Sequence, residues 1–247
     1  MLDKGQVFFH KTLLLIKKNT IFLIKKQKRD ILPYRGAFMA VEIELKAGIS
    51  NFETVKDRIS SLAGTPLFFE KDDCYWITPV PPESFPKSGV RVRRETFTQK
   101  DGKREAKTLV TYKSKEVRDG IEVNDEREFI VSDGDTFGEL LNRLGLVPGT
   151  RKFKEGWAWS WQGITTELCQ VKGFNPGNPP VYPPPGKTLP EIKLGWFAEL
   201  EILAEDNSPE TVAAARNRLL EFLDKIGITR DRIEERYYSE LLTQFAV

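Results

Sequence analysis

Residues 41–46 read Val41-Glu42-Ile43-Glu44-Leu45-Lys46, apolar and charged in strict alternation. Successive side chains of a β-strand point to opposite faces, so Glu42, Glu44 and Lys46 share one face and Val41, Ile43 and Leu45 the other. Five further stretches repeat charges at i, i+2: Arg91/Arg93, Lys113/Lys115, Glu126/Glu128, Lys152/Lys154 and Glu199/Glu201. Across from Lys152 and Lys154 stand Phe153, Trp157, Trp159 and Trp161. Across from Glu199 and Glu201 stand Leu200 and Ile202, with Phe197 counted on their side.

One such strand reads as a half-buried antiparallel strand with its polar face in water. Six of them, in a chain that also carries amphipathic helices, call for another solution. Helices pack on the apolar outer face and the sheet closes with its charged faces inward, giving an α+β fold built on an antiparallel barrel. A dry interior of that kind costs several kcal/mol per unpaired ion. The arrangement is tolerable only if the interior is wet and its acids and bases pair with each other or bind ligands.

The remaining punctuation fits this plan. Helical spacing predicts helices over Asn51–Leu62 and Thr136–Leu144, the latter stopped by Gly145. Strands are predicted at Asp73–Thr78, Val90–Phe97, Thr108–Lys115, Glu126–Val131, Arg151–Trp161, Ile164–Val171 and Trp196–Leu203, with Asp101-Gly102 and Gln162-Gly163 as turns. Ser208-Pro209-Glu210 opens a helix running to Ile226 before Gly227. A final short helix is expected within residues 230–242. Residues 173–194 hold seven prolines and read as a long inserted surface loop, either an ornament or a cover over a tunnel mouth.

Composition narrows the chemistry. The chain has 247 residues, 30% charged and 40% hydrophobic, and a net charge of +2. That charge is uneven. Residues 1–38 carry nine Lys/Arg against two Asp, so the remaining 29 basic and 34 acidic groups leave residues 39–247 slightly acidic. The basic balance belongs to a leader, which argues against a nucleic-acid partner for the domain. The leader's apolar runs, Leu13–Ile16 and Ile21–Ile24, are far shorter than the roughly 20 residues of a membrane span. No transmembrane segment is expected. The leader is read as disordered or non-native, with translation starting at Met39 and the domain occupying residues 39–247. Cys74 and Cys169 lack metal-type spacing and read as free thiols of a cytoplasmic protein. His10 is the one histidine, so no His-based triad or His/Cys zinc site can form in residues 39–247.

What remains is an inventory of six carboxylates (Glu42, Glu44, Glu126, Glu128, Glu199, Glu201) and seven cations (Lys46, Arg91, Arg93, Lys113, Lys115, Lys152, Lys154). Carboxylates without His or Cys suit a hard cation, Mg²⁺ or Mn²⁺. Arg forks and Lys point charges suit phosphate oxygens. Together in a confined space they suit a polyphosphate chelated by a divalent metal.

These residues resemble a known family. Glu42-Ile43-Glu44-Leu45-Lys46 is similar to the ExExK signature of the CYTH superfamily, the triphosphate tunnel metalloenzymes. The resemblance continues through Arg91-x-Arg93, Thr111-Tyr112-Lys113, Glu126-x-Glu128 before Val131-x-Asp133, and Leu194-Gly195-Trp196-Phe197-Ala198-Glu199-Leu200-Glu201. It spans residues 41 to 242. Lys154 stands where the family has Arg, and Glu167 stands near a usual Asp. The closing Tyr238-Ser239-Glu240-Leu241-Leu242 resembles the ending of the class IV adenylate cyclase branch.

The resemblance implies an eight-stranded tunnel with the triphosphate inside. Glu42, Glu44, Glu199 and Glu201, with Glu126 and Glu128, would hold the metal. Lys46, Arg91, Arg93, Lys113, Lys115, Lys152 and Lys154 would grip phosphate oxygens, with Lys46, Arg91 and Arg93 also neutralising charge as it develops. Three functions stay open. A cyclase would turn ATP into cyclic AMP and pyrophosphate. A triphosphatase would hydrolyse tripolyphosphate, thiamine triphosphate or a nucleoside triphosphate. A polyphosphate-binding module would do neither. The expected partner is a nucleoside triphosphate or inorganic polyphosphate, with a homodimer as a further expectation.

Overall fold

The computed structural model describes residues 41–79, 89–118, 120–177, 180–184 and 186–243, and for Lys113–Glu116, Arg118, Asp125 and Glu126 the backbone alone. The leader, and with it the expected start at Met39, lies outside the described residues.

Eight strands form a closed antiparallel barrel: β1 (Val41–Ile49), β2 (Leu67–Ile77), β3 (Gly89–Thr98), β4 (Arg104–Arg118), β5 (Ile121–Val131), β6 (Val147–Trp161), β7 (Ile164–Phe174) and β8 (Ile192–Ala204), in the order β1-β5-β4-β3-β2-β6-β7-β8. The first strand closes it. β1 pairs with β8 from Val41↔Ala204 to Ile49↔Trp196, and with β5 through Glu42↔Asn124, Ile43↔Val123 and Glu44↔Glu122.

The alternation of β1 decides which face is which. Ile43, Leu45 and Ala47 are fully buried on the outer side, where they join one apolar cluster with α1 (Phe52–Ala63) and α3 (Pro209–Lys225). α3 supplies Val212, Ala215, Leu219, Leu223 and Ile226 at i, i+3, i+4 and i+7 spacing. Ser208 caps its first turn by accepting from the Thr211 amide. Trp159 packs in the same cluster and donates from Nε1 to the Gly64 carbonyl at 3.1 Å. α2 (Gly134–Arg143) packs separately, with Leu141 against Trp76, Val92 and Val110. These three helices cover outer face and leave the barrel interior to the opposite face of the strands.

Several predicted boundaries shift. β2 begins at Leu67, not Asp73, and β5 at Ile121, not Glu126. The final helix is two pieces, a 3₁₀ turn at Arg230–Arg232 and α4 (Tyr238–Thr243). β7 and β8 extend into the Pro-rich stretch, which shortens the inserted loop. Gly195, at φ 103°, sits where the β7–β8 register slips by one residue, so the Leu-Gly of the final motif marks a bulge. Phe197 lies on the interior side. It shares parity with Glu199 and Glu201, opposes Gly48 and Cys169, and meets the Tyr238 ring edge-on at 5.1 Å.

Described parts of the Pro-rich insertion lie against the outer face of the barrel. Tyr182 donates its hydroxyl proton to the Pro148 carbonyl at 2.5 Å, and Phe174, Tyr182, Leu189, Cys74 and Trp76 help line a cavity of about 700 Å³ there. Asn175 reaches the last helix, donating to the Thr243 hydroxyl at 2.7 Å. Cys74 and Cys169 are both free thiols.

Candidate functional site

Directly opposed residues on neighbouring strands share a face, so register alone assigns the interior. One row runs Glu122 (β5), Glu44 (β1), Glu201 (β8): three carboxylates side by side on three adjacent strands. The next row runs Lys46 (β1), Glu199 (β8), Glu167 (β7). On the other wall stand Lys152, Asp73 and Arg93 in one row, and Lys154, Lys71 and Glu95 in another. Tyr75, Arg91, Thr111 and Glu128 form a third. Every sequence-predicted site residue therefore falls on the interior face. The side chains of Lys113, Lys115 and Glu126 lie outside the described residues, and register alone places those three: Lys113 opposite Glu126, Lys115 opposite Asn124.

Five interior groups enter here that strand pairs at i, i+2 did not mark: Lys71, Asp73, Glu95, Glu122 and Asn124. Asp73 and Asn124 are the best buried of them, each at 0% exposure. Asp73 accepts from both Arg93 Nε at 2.6 Å and Arg93 Nη2 at 2.9 Å, and Lys152 Nζ lies 3.1 Å from its second oxygen. Burial alone would push this carboxyl up; Arg93 and Lys152 overcome that and hold it well below the usual carboxylate range. The fork fixes Arg93 through the Nε–Nη2 edge of its guanidinium.

A second ionic cluster spans the middle of the tunnel. Lys154 pairs with Glu199 and, at 2.8 Å, with Glu167, while Lys71 also pairs with Glu167. Burial opposes the charge on both acids, but Lys154 outweighs it and both carboxyls titrate below their ordinary value. Lys154 is likewise disfavoured by burial and held well above its ordinary value by Glu167 and Glu199. The cluster is a pH liability of predictable sign. Carboxylates whose folded values are depressed contribute stability that is complete above the unfolded value, about pH 4. That contribution is lost as pH falls through the folded values. The urea midpoint is expected to be flat from pH 8 to about pH 5 and to drop steadily below about pH 4. A midpoint constant down to pH 2.5 would count against these ion pairs.

One end of the interior is closed by the chain's own C-terminal part. Tyr238 donates to Glu199 Oε1 at 2.7 Å, and its ring lies 4.9 Å from both Lys46 Nζ and Lys152 Nζ. Lys46 also donates to the Arg236 carbonyl at 2.6 Å and sits 3.5 Å from Glu122. Phe69, Cys169, Val171, Phe197 and Leu241 complete an apolar floor around Tyr238. Burial, with Glu199 beside it, pushes the Tyr238 phenol far up, so it stays a donor. Across from this floor, Arg91 donates to the Thr111 hydroxyl at 3.0 Å and lies 3.9 Å from Glu128.

The row of Glu122, Glu44 and Glu201 tests whether a metal fits. Opposed Cβ atoms in a sheet lie about 5 Å apart, so three carboxylates in a row repel unless a cation lies among them. All-oxygen donors of that charge fit Mg²⁺ or Mn²⁺. Among the described residues no three of them already converge on one point. Lys46 lies within ion-pair distance of Glu122, and Lys154 of Glu199. A bound cation would exchange those partners, releasing Lys46 and Lys154 toward anionic oxygens.

The family model described as the CYTH domain matches residues 40–238. No curated protein sequence matches the chain. Among solved structures, the PH1819 protein from Pyrococcus horikoshii OT3 superposes with a TM-score of 0.61 at 23% identity, covering 82% of this chain and 98% of that one. A protein from Vibrio parahaemolyticus, provisionally described as an adenylate cyclase, gives 0.56 at 17% identity over 82% and 97%. The Schizosaccharomyces pombe Mediator head module gives 0.53 at 13% over 84% and 96%. At these identities the likeness is one of fold. Among the described residues no helix is long and apolar enough to cross a membrane.

Proposed function

Because the chain belongs to the CYTH domain family, we propose that it is a metal-dependent enzyme that processes a triphosphate inside its barrel. The observation that carries this reading is the division of one closed interior into a row of carboxylates, Glu122, Glu44 and Glu201, and a facing wall of cations built on Lys152, Arg93 and Arg91. A pure anion binder gains nothing from opposed carboxylates.

The residues would divide the labour by charge. Glu42, Glu44, Glu199 and Glu201, with Glu126 and Glu128, would hold Mg²⁺ or Mn²⁺, which when bound supplies charge neutralisation at the phosphates. Arg93, fixed by Asp73, would present the Nη1 side of its guanidinium to phosphate oxygens, and Lys152 would add a point charge beside it. Lys46, Lys154 and Arg91, with Lys113 and Lys115 from β4, complete the grip. Catalysis of this kind is positioning plus electrostatic stabilisation of charge that moves to the leaving oxygen.

The finer reading is a cyclase: the ribose 3′ oxygen bonds to the α-phosphorus, the bond from that phosphorus to the bridging oxygen breaks, and pyrophosphate leaves. The second reading is hydrolysis, in which water bonds to the terminal phosphorus, the bond from that phosphorus to the bridging oxygen breaks, the diphosphate end leaves and orthophosphate forms. The C-terminal segment is compatible with either reading. Tyr238, Leu241 and Leu242 are buried, with Tyr238 and Leu241 in the tunnel floor, so an ending that resembles the cyclase branch is explained by packing. Incubation with ATP and with tripolyphosphate, each with Mg²⁺ or Mn²⁺, separates the two. Cyclic AMP with pyrophosphate from ATP establishes the cyclase; ADP with orthophosphate from ATP, or pyrophosphate with orthophosphate from tripolyphosphate, establishes hydrolysis. Turnover of neither substrate would overturn the enzyme reading.

A further inference from the structure

Asn124 is an amide set among ions. Along the interior face of β5 the series runs Glu122, Asn124, Glu126, Glu128, so a neutral residue interrupts three acidic ones. Its side chain is fully buried, and among the described residues nothing hydrogen-bonds to its Nδ2 or its Oδ1. Leaving a buried polar group unpaired costs stability. Asp73, Lys71 and Lys154, by contrast, each have an ionic partner in the same interior.

Its neighbours say what is missing. Asn124 stands opposite Glu42 of β1 on one side and opposite Lys115 of β4 on the other. It therefore marks the line where the carboxylates of the barrel give way to its cations. A primary amide can serve both sides of that line: its carbonyl oxygen offers lone pairs to a hard cation, and its nitrogen offers two protons to an anionic oxygen. An Asp here would add charge to an already acidic row, and a Lys would pair with Glu42.

We propose that Asn124 bridges the two halves of a metal-bound triphosphate, with Oδ1 toward the cation and Nδ2 donating to a phosphate oxygen. This rests on the triphosphate reading above and adds a ligand to it that neither acidic nor basic motifs supply. The bound complex restores the hydrogen bonds that the amide lacks without it.

The test uses the full chain as parent, Asn124→Leu and Asn124→Asp, followed by thermal melting and titration with Mn²⁺ alone and with Mn²⁺ plus inorganic tripolyphosphate. In Asn124→Leu an unpartnered amide becomes a γ-branched apolar group, so the ligand-free melting temperature is expected to hold or rise. Affinity for tripolyphosphate in Mn²⁺ is expected to fall about ten-fold or more, as for one lost hydrogen bond to a charged group. Asn124→Asp is nearly isosteric and keeps an oxygen for the cation. It is expected to bind Mn²⁺ as the parent does and to lose affinity for the tripolyphosphate complex. If Asn124→Leu does not fold, the Asp variant decides alone. Variants that bind Mn²⁺–tripolyphosphate as tightly as a binding-competent parent would overturn the role of Asn124 only. A parent that shows neither a melting shift nor binding heat would overturn the triphosphate reading itself.

Discussion

Glu201→Ala is expected to lower metal-dependent turnover of ATP or tripolyphosphate by at least about a hundred-fold, the size seen when one group that stabilises developing charge is removed. The ligand-free chain is expected to melt within a few degrees of the parent. The two halves of that expectation have one cause. Glu201 opposes Glu44, which in turn opposes Glu122. Deleting one carboxylate from the row relieves like-charge repulsion, which offsets the contacts Glu201 makes in the folded chain. For a chain of this size about 1 kcal/mol corresponds to roughly 2–4 °C, so a small shift is measurable and its sign informative. Glu201→Gln keeps the shape and removes the charge, and is expected to lose the same activity. The check is initial rate against Mn²⁺ concentration, with melting measured on the same samples. Full activity of Glu201→Ala at saturating Mn²⁺ would remove the carboxylate row from the metal site. A variant that is inactive and melts 10 °C lower would show that Glu201 acts through the fold.

The barrel was legible where one face of a strand is charged and the other apolar. β1 and β8 meet that condition, and Glu42, Glu44, Lys46, Glu199 and Glu201 fall on the interior side that alternation assigns. β2 does not. Glu70-Lys71-Asp72-Asp73 places charge on both faces: Glu70 and Asp72 pair outward with Arg104 and Arg151, while Lys71 and Asp73 point inward. No period survives in such a run, and the best buried acid of the site went with it. β5 is a different case. Ile121-Glu122-Val123-Asn124 alternates cleanly behind Asp119-Gly120, and Gly120 takes φ 79° at the turn. That hairpin signal was available and would have yielded both Glu122 and Asn124. Asp133, part of the motif Val131-x-Asp133, shows the limit of motif reading. It caps α2, accepting from the amides of Asp135 and Thr136 at 3.0 Å, and belongs to the fold and not to the tunnel. Tyr238 could not be placed from sequence at all. Its contacts with Lys46 and Glu199 depend on where the chain's last segment returns after α3, and no local pattern encodes that return.

Asp73→Ala is expected to produce the largest loss of stability of any single change in the interior, about 3–5 kcal/mol, because it removes one partner of a buried ionic group and leaves the others uncompensated. Asp73 is 0% exposed, Arg93 9% and Lys152 6%, so solvent does little to screen the two cations left behind. Total stabilities of 5–15 kcal/mol are typical, so a loss of this size takes a large share of the whole. The measurement is urea denaturation, with the midpoint displaced and the slope unchanged. Asp73→Asn, which keeps one acceptor for Arg93, is expected to fall between the parent and Ala. A second arm ties the effect to the site. Tripolyphosphate without metal brings negative charge to the same wall, so it is expected to raise the midpoint of Asp73→Ala by more than it raises the parent's. Equal gains would mean that the anion binds elsewhere. An Asp73→Ala chain as stable as the parent would mean that water reaches Arg93 and Lys152, and that the tunnel wall is solvated and not dry. The excess gain in the variant would show Asp73 as the internal stand-in for the ligand's charge, holding the cations in place at a cost in affinity that the triphosphate must outweigh.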